Sequence, residues 1–247
     1  MSDIQIERDG GVLEIRFNRQ SKKNAITNAM YGAMADGLEA AGADACIGAI
    51  LFTAAGDFFT AGNDLVDFAA QSSGVFEGPR HVGRFLGRVI EAEKPIVAAV
   101  QGPAVGVGVT MLLHCDLVYI AEGARLSTPF IDLGLVPENA SSLTLVDRLG
   151  HARAFAMLGL GEPLLGRDAA AFGLANAALG AAEVEPRARA AAQALASKPE
   201  QSLRLTKTLM RDRERLIARM QAEGELFAER LKSPEAAAAF AAFLERR

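Results

Sequence analysis

The chain is poor in the residues that would mark several common protein classes. Its 247 residues include two cysteines, Cys46 and Cys115. They form no C-x-x-C pattern and are too few for a disulfide framework. Both lie in apolar runs and read as buried, reduced thiols. The histidines His81, His114 and His151 are scattered without metal-ligand spacing, so no metal is expected. His114, beside Cys115 in an apolar segment, reads as a satisfied core or interface residue. There is no basic stripe with interleaved aromatics, and the formal net charge is -4, which argues against nucleic acid as a partner. The opening segment, MSDIQIERDGG, lacks the basic and apolar regions of a signal peptide. The most apolar stretch, Pro95 to Ile120, is broken by Gln101, Gly102, Pro103, Gly106, Gly108, His114 and Asp116. A bilayer span needs roughly 20 mostly apolar residues, so no membrane partner is expected. The closing LERR is not a peroxisomal address. A reducing cytoplasm fits all of this.

What is present is a core-forming chain. Hydrophobic residues make up 50% of it and charged residues 23%, which excludes disorder. The length suits one large domain, or a domain with a helical extension. Ile4 and Ile6, then Val12, Leu13, Ile15 and Phe17, flank Asp9-Gly10-Gly11 as a hairpin would. Thr27 or Asn28 can cap a helix through about Ala43, with Met30, Met34, Leu38 and Ala41 on one face. Ala49 to Thr53 and Pro95 to Val100 read as buried strands. Pro79 to Glu91 and Val105 to Cys115 read as helices. Leu117 to Ile120 and Arg125 to Ser127 read as strands, and Ser141 to Leu149 and His151 to Leu158 as helices. This alternation argues an α/β core over residues 1–185 with parallel pairing. Residues 186–247, rich in Ala, Leu, Glu and Arg, read as three or four helices, with Pro199 and Pro234 in first-turn positions. Residues 66–78 show weak periodicity and read as a mobile loop.

Two glycine-containing loops each follow a buried strand. One is Phe59-Thr60-Ala61-Gly62-Asn63-Asp64-Leu65. The other is Gln101-Gly102-Pro103-Ala104-Val105-Gly106-Val107-Gly108-Val109. Small residues let backbone approach a ligand, and amides at a helix start have no intrahelical partner. Two such amides converging on one oxygen would form an oxyanion hole. Taken singly, the first loop reads equally well as a tight turn, and the second as close helix-to-sheet packing. Neither spells G-x-G-x-x-G or G-K-[ST], so neither reads as a dinucleotide or triphosphate site.

Taken together, the loops and their neighbours resemble the crotonase family, the enoyl-CoA hydratase/isomerase superfamily. The matching pieces are Asn18-Arg19, Lys23-Asn24-Ala25-Ile26, Phe59 to Leu65, Lys94 to Gly102, Cys115-Asp116-Leu117, Pro129 to Pro137, and Phe240 to Arg247. They occur in family order over nearly the whole chain. The resemblance implies a crotonase-like ββα spiral core with a C-terminal α-helical trimerisation region. It implies an acyl-CoA substrate and a place in fatty acid metabolism. No separate cofactor is expected, because coenzyme A is part of the substrate. It also implies that the backbone amides of Asn63 and Val107 form the oxyanion hole. Ala25 and the stretch Ala61, Gly62, Asn63, Asp64 and Leu65 match segments that contact coenzyme A, with Lys23 a phosphate neighbour or a solvated surface lysine. Val105, Phe130 and Pro137 match the pocket wall. The resemblance implies a homotrimer or a hexamer made of two trimers; the apolar Leu226, Phe227, Leu231, Phe240, Phe243 and Leu244 suit a buried seam between subunits or packing within the chain.

Hydratases (lyases) of this family use two glutamates around one water. The matching positions here are Thr110 and Phe130. A hydroxyl has too high a pKa for carboxylate work, and a phenyl ring has no proton to give. The segment Pro137-Glu138-Asn139-Ala140-Ser141-Ser142 instead resembles the Δ3,Δ2-enoyl-CoA isomerase branch, in which a glutamate directly after this proline is the acid/base. Glu138 is therefore the expected catalytic carboxylate, and double-bond isomerisation the expected reaction. An unusual hydration, other crotonase chemistry, and a non-catalytic acyl-CoA-binding or scaffolding role stand as alternatives. Apolar neighbours would raise the pKa of Glu138, and a helix start would lower it. Asp64 reads as loop-fixing or CoA-contacting, Asp132 as structural, and Ser141 and Ser142 as supports for the helix start.

Overall fold

The computed structural model describes residues 2–67 and 78–245. The loop expected over residues 66–78, and any acyl tunnel it shapes, falls largely outside the described residues. Strands β1 (Ile4–Asp9) and β2 (Val12–Phe17) lead into helix α1 (Asn28–Ala43) and strand β3 (Ala49–Ala54). Helix α2 (Val82–Glu91) precedes β4 (Ile96–Val100), β5 (Ala104–Val105) and the single turn α3 (Val107–Thr110). Then come β6 (Leu117–Ala121), β7 (Arg125–Ser127), α4 (Ser141–Leu149) and α5 (His151–Gly159). Strand β8 (Leu164–Leu165), α6 (Gly166–Ala171) and β9 (Ala177–Leu179) follow. The chain closes with α7 (Ala181–Ala196), α8 (Glu200–Leu209), α9 (Arg213–Arg230) and α10 (Pro234–Glu245).

The larger sheet runs β1-β2-β3-β4-β6-β9. Only its first pair is antiparallel, the hairpin across Gly10-Gly11; the others are parallel. Every residue of β3 and β4 is buried, as expected of parallel strands covered on both faces. Strands β5, β7 and β8 form a smaller sheet. The mixed α/β class and the C-terminal helices agree with the sequence reading.

Some boundaries differ from expectation. Helix α2 starts at Val82, because the segment before it docks on α1. His81 N donates to Asn28 Oδ1 at 2.8 Å, and Asn28 Nδ2 donates to the Pro79 carbonyl at 3.0 Å. The segment expected as one helix from Val105 to Cys115 is divided. Val105 pairs with Ser127 in the small sheet, and Gly106, at φ 55 and ψ −117, turns the chain before α3 begins. Met111–His114 then tightens into a 3-10 turn. Strands β8 and β9 had no sequence signal: both are short, and the alanines of β9 are weak strand formers held by pairing with β6. Helix α7 runs across the division expected after residue 185 and buries Val184, Ala188, Ala191 and Ala192. Cys115 is buried as expected, but Cys46 is exposed, because it lies in the turn leaving α1.

Several motif residues hold the frame. Lys94 is buried, and its ammonium donates to the carbonyls of Ala41 at 2.7 Å and Asp44 at 2.6 Å. It thereby satisfies the carbonyl end of α1. Asp116 accepts from Ile96 N at 2.7 Å and from Lys207 Nζ at 2.8 Å, tying β4 to α8. His114 is buried and neutral. Its Nδ1 accepts from Arg211 at 2.8 Å and its Nε2 donates to the Asn139 carbonyl at 2.7 Å. Burial first, then the Arg211 charge, pushes it down to about 3.

Candidate active site

Because β3 and β4 are paired, the loops leaving them lie side by side. They are laced through the backbone. Phe59 N and Thr60 N both donate to the Pro103 carbonyl, at 3.0 and 3.2 Å, and Val105 N donates to Thr60 O at 3.0 Å. Thr60 is fully buried, and its hydroxyl donates to the Asn24 carbonyl at 2.7 Å. Ile26 N donates to Gly62 O at 2.8 Å, and Asp64 N to Ile26 O at 2.9 Å. The resemblance segment Asn24-Ala25-Ile26 is thus a third wall of the same site. Gly62 has φ +82, and a β-carbon there would stand 2.8 Å from the Val105 carbonyl oxygen. No other residue type fits between these loops without moving them.

The amides of Asn63 and Val107 donate to no protein acceptor among the described residues. That of Val107 is at the first position of α3, where an unpaired N–H is normal. Asn63 is steadied through its side chain: Tyr31 Oη donates to Asn63 Oδ1 at 2.5 Å. Burial first, then the charges of Glu138 and Asp67, pushes the Tyr31 hydroxyl well above its ordinary value, so it stays a donor.

Glu138 is buried at 8% exposure. Its Oε1 lies 3.3 Å from Thr110 Oγ1, which is also 3.4 Å from the Val107 carbonyl. Glu138 is therefore joined through Thr110 to the turn that begins with the candidate oxyanion donor Val107. Burial pushes its carboxyl from 4.5 up to about 7; the Thr110 hydroxyl opposes this and the Glu223 charge adds to it. The competition left open by the sequence goes to burial. The helix α4 begins only at Ser141, and Glu138 offers it a backbone carbonyl, which accepts from Ser141 N at 3.0 Å. Between them Asn139 and Ala140 both take left-handed backbone, at φ 59 and 56. The polar atoms of the Asn139 side chain and the Ser141 hydroxyl are buried without a protein partner among the described residues, an uncommon arrangement in a folded chain. Ser142 supports the turn as expected: its amide donates to Glu223 at 2.9 Å, and its hydroxyl accepts from Arg219 at 3.2 Å.

The other expected site residues divide by role. Asp64 fixes its loop. It pairs with Arg19 at 2.6 Å and accepts from the amides of Val66 and Asp67 at 3.1 and 3.2 Å. Burial raises its carboxyl, but the Arg19 hydrogen bond and these amides outweigh that and hold it below the ordinary carboxylate range. Ala25 is half-buried, with its carbonyl accepting from Arg19 at 2.9 Å. Lys23 is exposed, its ammonium 5.0 Å from the centre of the Phe58 ring. Ala61, Leu65, Val105 and Pro137 are half-buried. Phe130 is buried in a separate apolar cluster with Leu135 and Ala236, against Phe227, Leu231 and Phe240. The C-terminal helices therefore pack on Phe130 within one chain. Leu226, expected in the same seam, is 55% exposed.

Tyr31 and Glu223 escaped the sequence reading. Tyr31 lies on an ordinary amphipathic helix, and Glu223 stands 85 residues after Glu138 amid other charges on α9. Neither carries a local signal. A cavity of about 510 Å³ lined by His114, Arg148, Lys207 and Arg211 includes neither Glu138 nor the two loop amides.

Comparison with known proteins agrees with this arrangement. A profile of the enoyl-CoA hydratase/isomerase family matches residues 7–247. Enoyl-CoA delta isomerase 2 of Rattus norvegicus is 37% identical over 250 residues, covering 99% of this chain. The chain spans 64% of the length of that relative. The 2,3-dehydroadipyl-CoA hydratase of Escherichia coli strain K12 is 32% identical over 176 residues, covering 71% of this chain and 69% of that protein. The solved structure of OdaA from Pseudomonas aeruginosa superposes with a TM-score of 0.94 at 45% identity, covering 100% of both chains. The chain belongs to the enoyl-CoA hydratase/isomerase family and has its crotonase fold.

Proposed function

We propose that this chain is an enoyl-CoA isomerase that shifts the double bond of a 3-enoyl-CoA to the 2-position, with Glu138 as its acid/base. The observation that carries the reading is the state of Glu138, a buried carboxyl pushed up to about 7 beside a hydroxyl donor. Such a group takes up and returns a proton near neutral pH. The positions where a hydratase of this family would carry its two glutamates hold Thr110 and Phe130. The printed name of the rat relative points the same way.

In this reading the Glu138 carboxylate removes a proton from C2 of the 3-enoyl thioester. The electron pair moves into the thioester carbonyl, and the amides of Asn63 and Val107 stabilise the oxyanion. When the enolate collapses, the proton held by Glu138 is delivered to C4 and the double bond lies between C2 and C3. One carboxyl returns to its starting state, so no second acid is needed. Losing one such amide costs about 10²–10³-fold in rate. The coenzyme A moiety would lie along Lys23, Ala25 and Ala61 to Leu65, and the acyl chain against Val105, Phe130 and Pro137. Exposed Leu205, Leu209 and Met210 on and beside α8 favour a closed assembly, a trimer or two stacked trimers.

Hydration is the second reading, favoured by the name of the E. coli relative. The test is to offer the purified protein a 3-enoyl-CoA and crotonyl-CoA. Conjugation of the first with little water addition to the second supports isomerisation. Efficient hydration of crotonyl-CoA overturns it, and binding of both without turnover points to a scaffold.

A further inference from the structure

We propose that Glu223 is a positioning residue for Glu138: from α9 it clamps the left-handed turn that follows Glu138, and it sets a second negative charge beside the catalytic carboxyl. This rests on the isomerase reading for its catalytic consequence, though not for its geometry. Glu223 is 5% exposed, an unusual location for a carboxylate on a helix that is otherwise mostly solvated. Its Oε1 accepts from Ser142 N at 2.9 Å, and its Oε2 is buried with no partner among the described residues.

The turn needs such a clamp. Two successive non-glycine residues, Asn139 and Ala140, occupy left-handed backbone, which L-residues hold only when their surroundings fix them. The clamp acts from two sides. Glu223 holds the amide side at Ser142, and His114 holds the Asn139 carbonyl at 2.7 Å. Arg211 in turn holds His114. Both outer supports come from the C-terminal segment, Arg211 just before α9 and Glu223 within it. Moving either would swing the residue directly before the turn, which is Glu138.

The charge matters as well as the hold. Burial raises the Glu223 carboxyl above its ordinary value; the Ser142 hydroxyl, the amides of Ser142 and Ala140 and the Arg219 charge offset this only in part. Among the described residues, the titratable and charged groups facing Glu138 are Tyr31 from α1 and Glu223 from α9, with the Thr110 hydroxyl from α3 as its donor. Tyr31 is neutral and His114 is neutral. In its ionised form Glu223 is the like charge that adds to burial in holding the proton on Glu138.

The test reads the Glu138 carboxyl without substrate, so it stays informative even if no 3-enoyl-CoA is turned over. The carboxyl band of Glu138 is identified in the infrared spectrum of the full chain by its loss in Glu138→Gln. It is then titrated in the wild type and in Glu223→Gln, which keeps an acceptor for Ser142 N and removes the charge. The midpoint is expected to fall by about half a pH unit or more in Glu223→Gln. An unchanged midpoint overturns the charge half of the proposal. Glu223→Ala removes the clamp too. On the isomerase reading its kcat is expected to fall about tenfold or more with KM little changed, and a wild-type kcat overturns the positioning half. If Glu223→Ala does not fold, His114→Gln tests the other side of the same turn: lower kcat with an unmoved Glu138 midpoint is expected, and a wild-type kcat counts against the clamp.

Discussion

The Thr110 hydroxyl and the Glu138 carboxyl, 3.3 Å apart, are both buried. Thr110 occupies a position where a hydratase of this family would carry a carboxylate. Here it serves as a neutral hydrogen-bond donor to the buried Glu138 carboxylate. On the isomerase reading, this difference separates a one-carboxyl proton shuttle from two-carboxyl water addition.

Thr110→Val removes the donor and keeps the shape. The hydrogen bond favours ionised Glu138, so its loss raises a carboxyl already pushed up to about 7. A base works only when deprotonated, so the acid limb of kcat/KM moves to higher pH. The expected displacement is about half to one pH unit, matching a hydrogen bond of about 0.5–1.5 kcal/mol. A pH–rate profile checks it, and the rate recovers on the alkaline side.

Glu138→Gln is expected to make the protein more stable above neutrality. The folded carboxyl sits at about 7 against an ordinary 4.5, so the native state binds this proton more tightly than the unfolded chain. Its contribution to stability is fully present below the unfolded value and is lost as pH rises through the folded one. Above that the buried charge costs on the order of 3 kcal/mol. Denaturant melts across this window should show the variant and wild type diverging as pH rises, and converging in acid.

Gly62→Ala tests the close approach of the loops. The added carbon meets a backbone oxygen at 2.8 Å and a φ of +82, so the loops must separate. A loss of about 2 kcal/mol or more is expected in chemical melts, with a fall in kcat.

Asp64→Ala breaks the 2.6 Å pair with Arg19 and two amide contacts. On the proposed substrate placement, KM for an acyl-CoA rises about tenfold or more, in line with about 1.5–3 kcal/mol for a charge-assisted hydrogen bond. The change in kcat should be smaller. Steady-state kinetics separates the two.

Much of this was legible in the sequence where the signal is local. The alternation in Ile4 to Phe17, the cap at Thr27 and the apolar runs of β3 and β4 each carry their period or boundary in adjacent residues. The glycine loops were legible because few residue types permit their backbone. The rest depended on contacts distant in sequence. Strand β9 is held by its neighbour β6, and Val105 left its expected helix to pair with Ser127. Tyr31 reaches Asn63 only after α1 is folded onto the loop. Glu223 reaches the turn after Glu138 only because α9 crosses it. Cys46 lies in an apolar run yet is exposed, because a turn residue faces outward whatever its neighbours.

The central claim is that Glu138 alone carries the proton. It is tested by following the ultraviolet growth of the conjugated thioester from a 3-enoyl-CoA, with wild type and with Glu138→Gln. The variant keeps the fold and the amides but cannot take a proton. A fall in kcat of about 10²–10⁴-fold, with substrate still bound, is the predicted result. Turnover by Glu138→Gln at close to the wild-type rate would contradict the account.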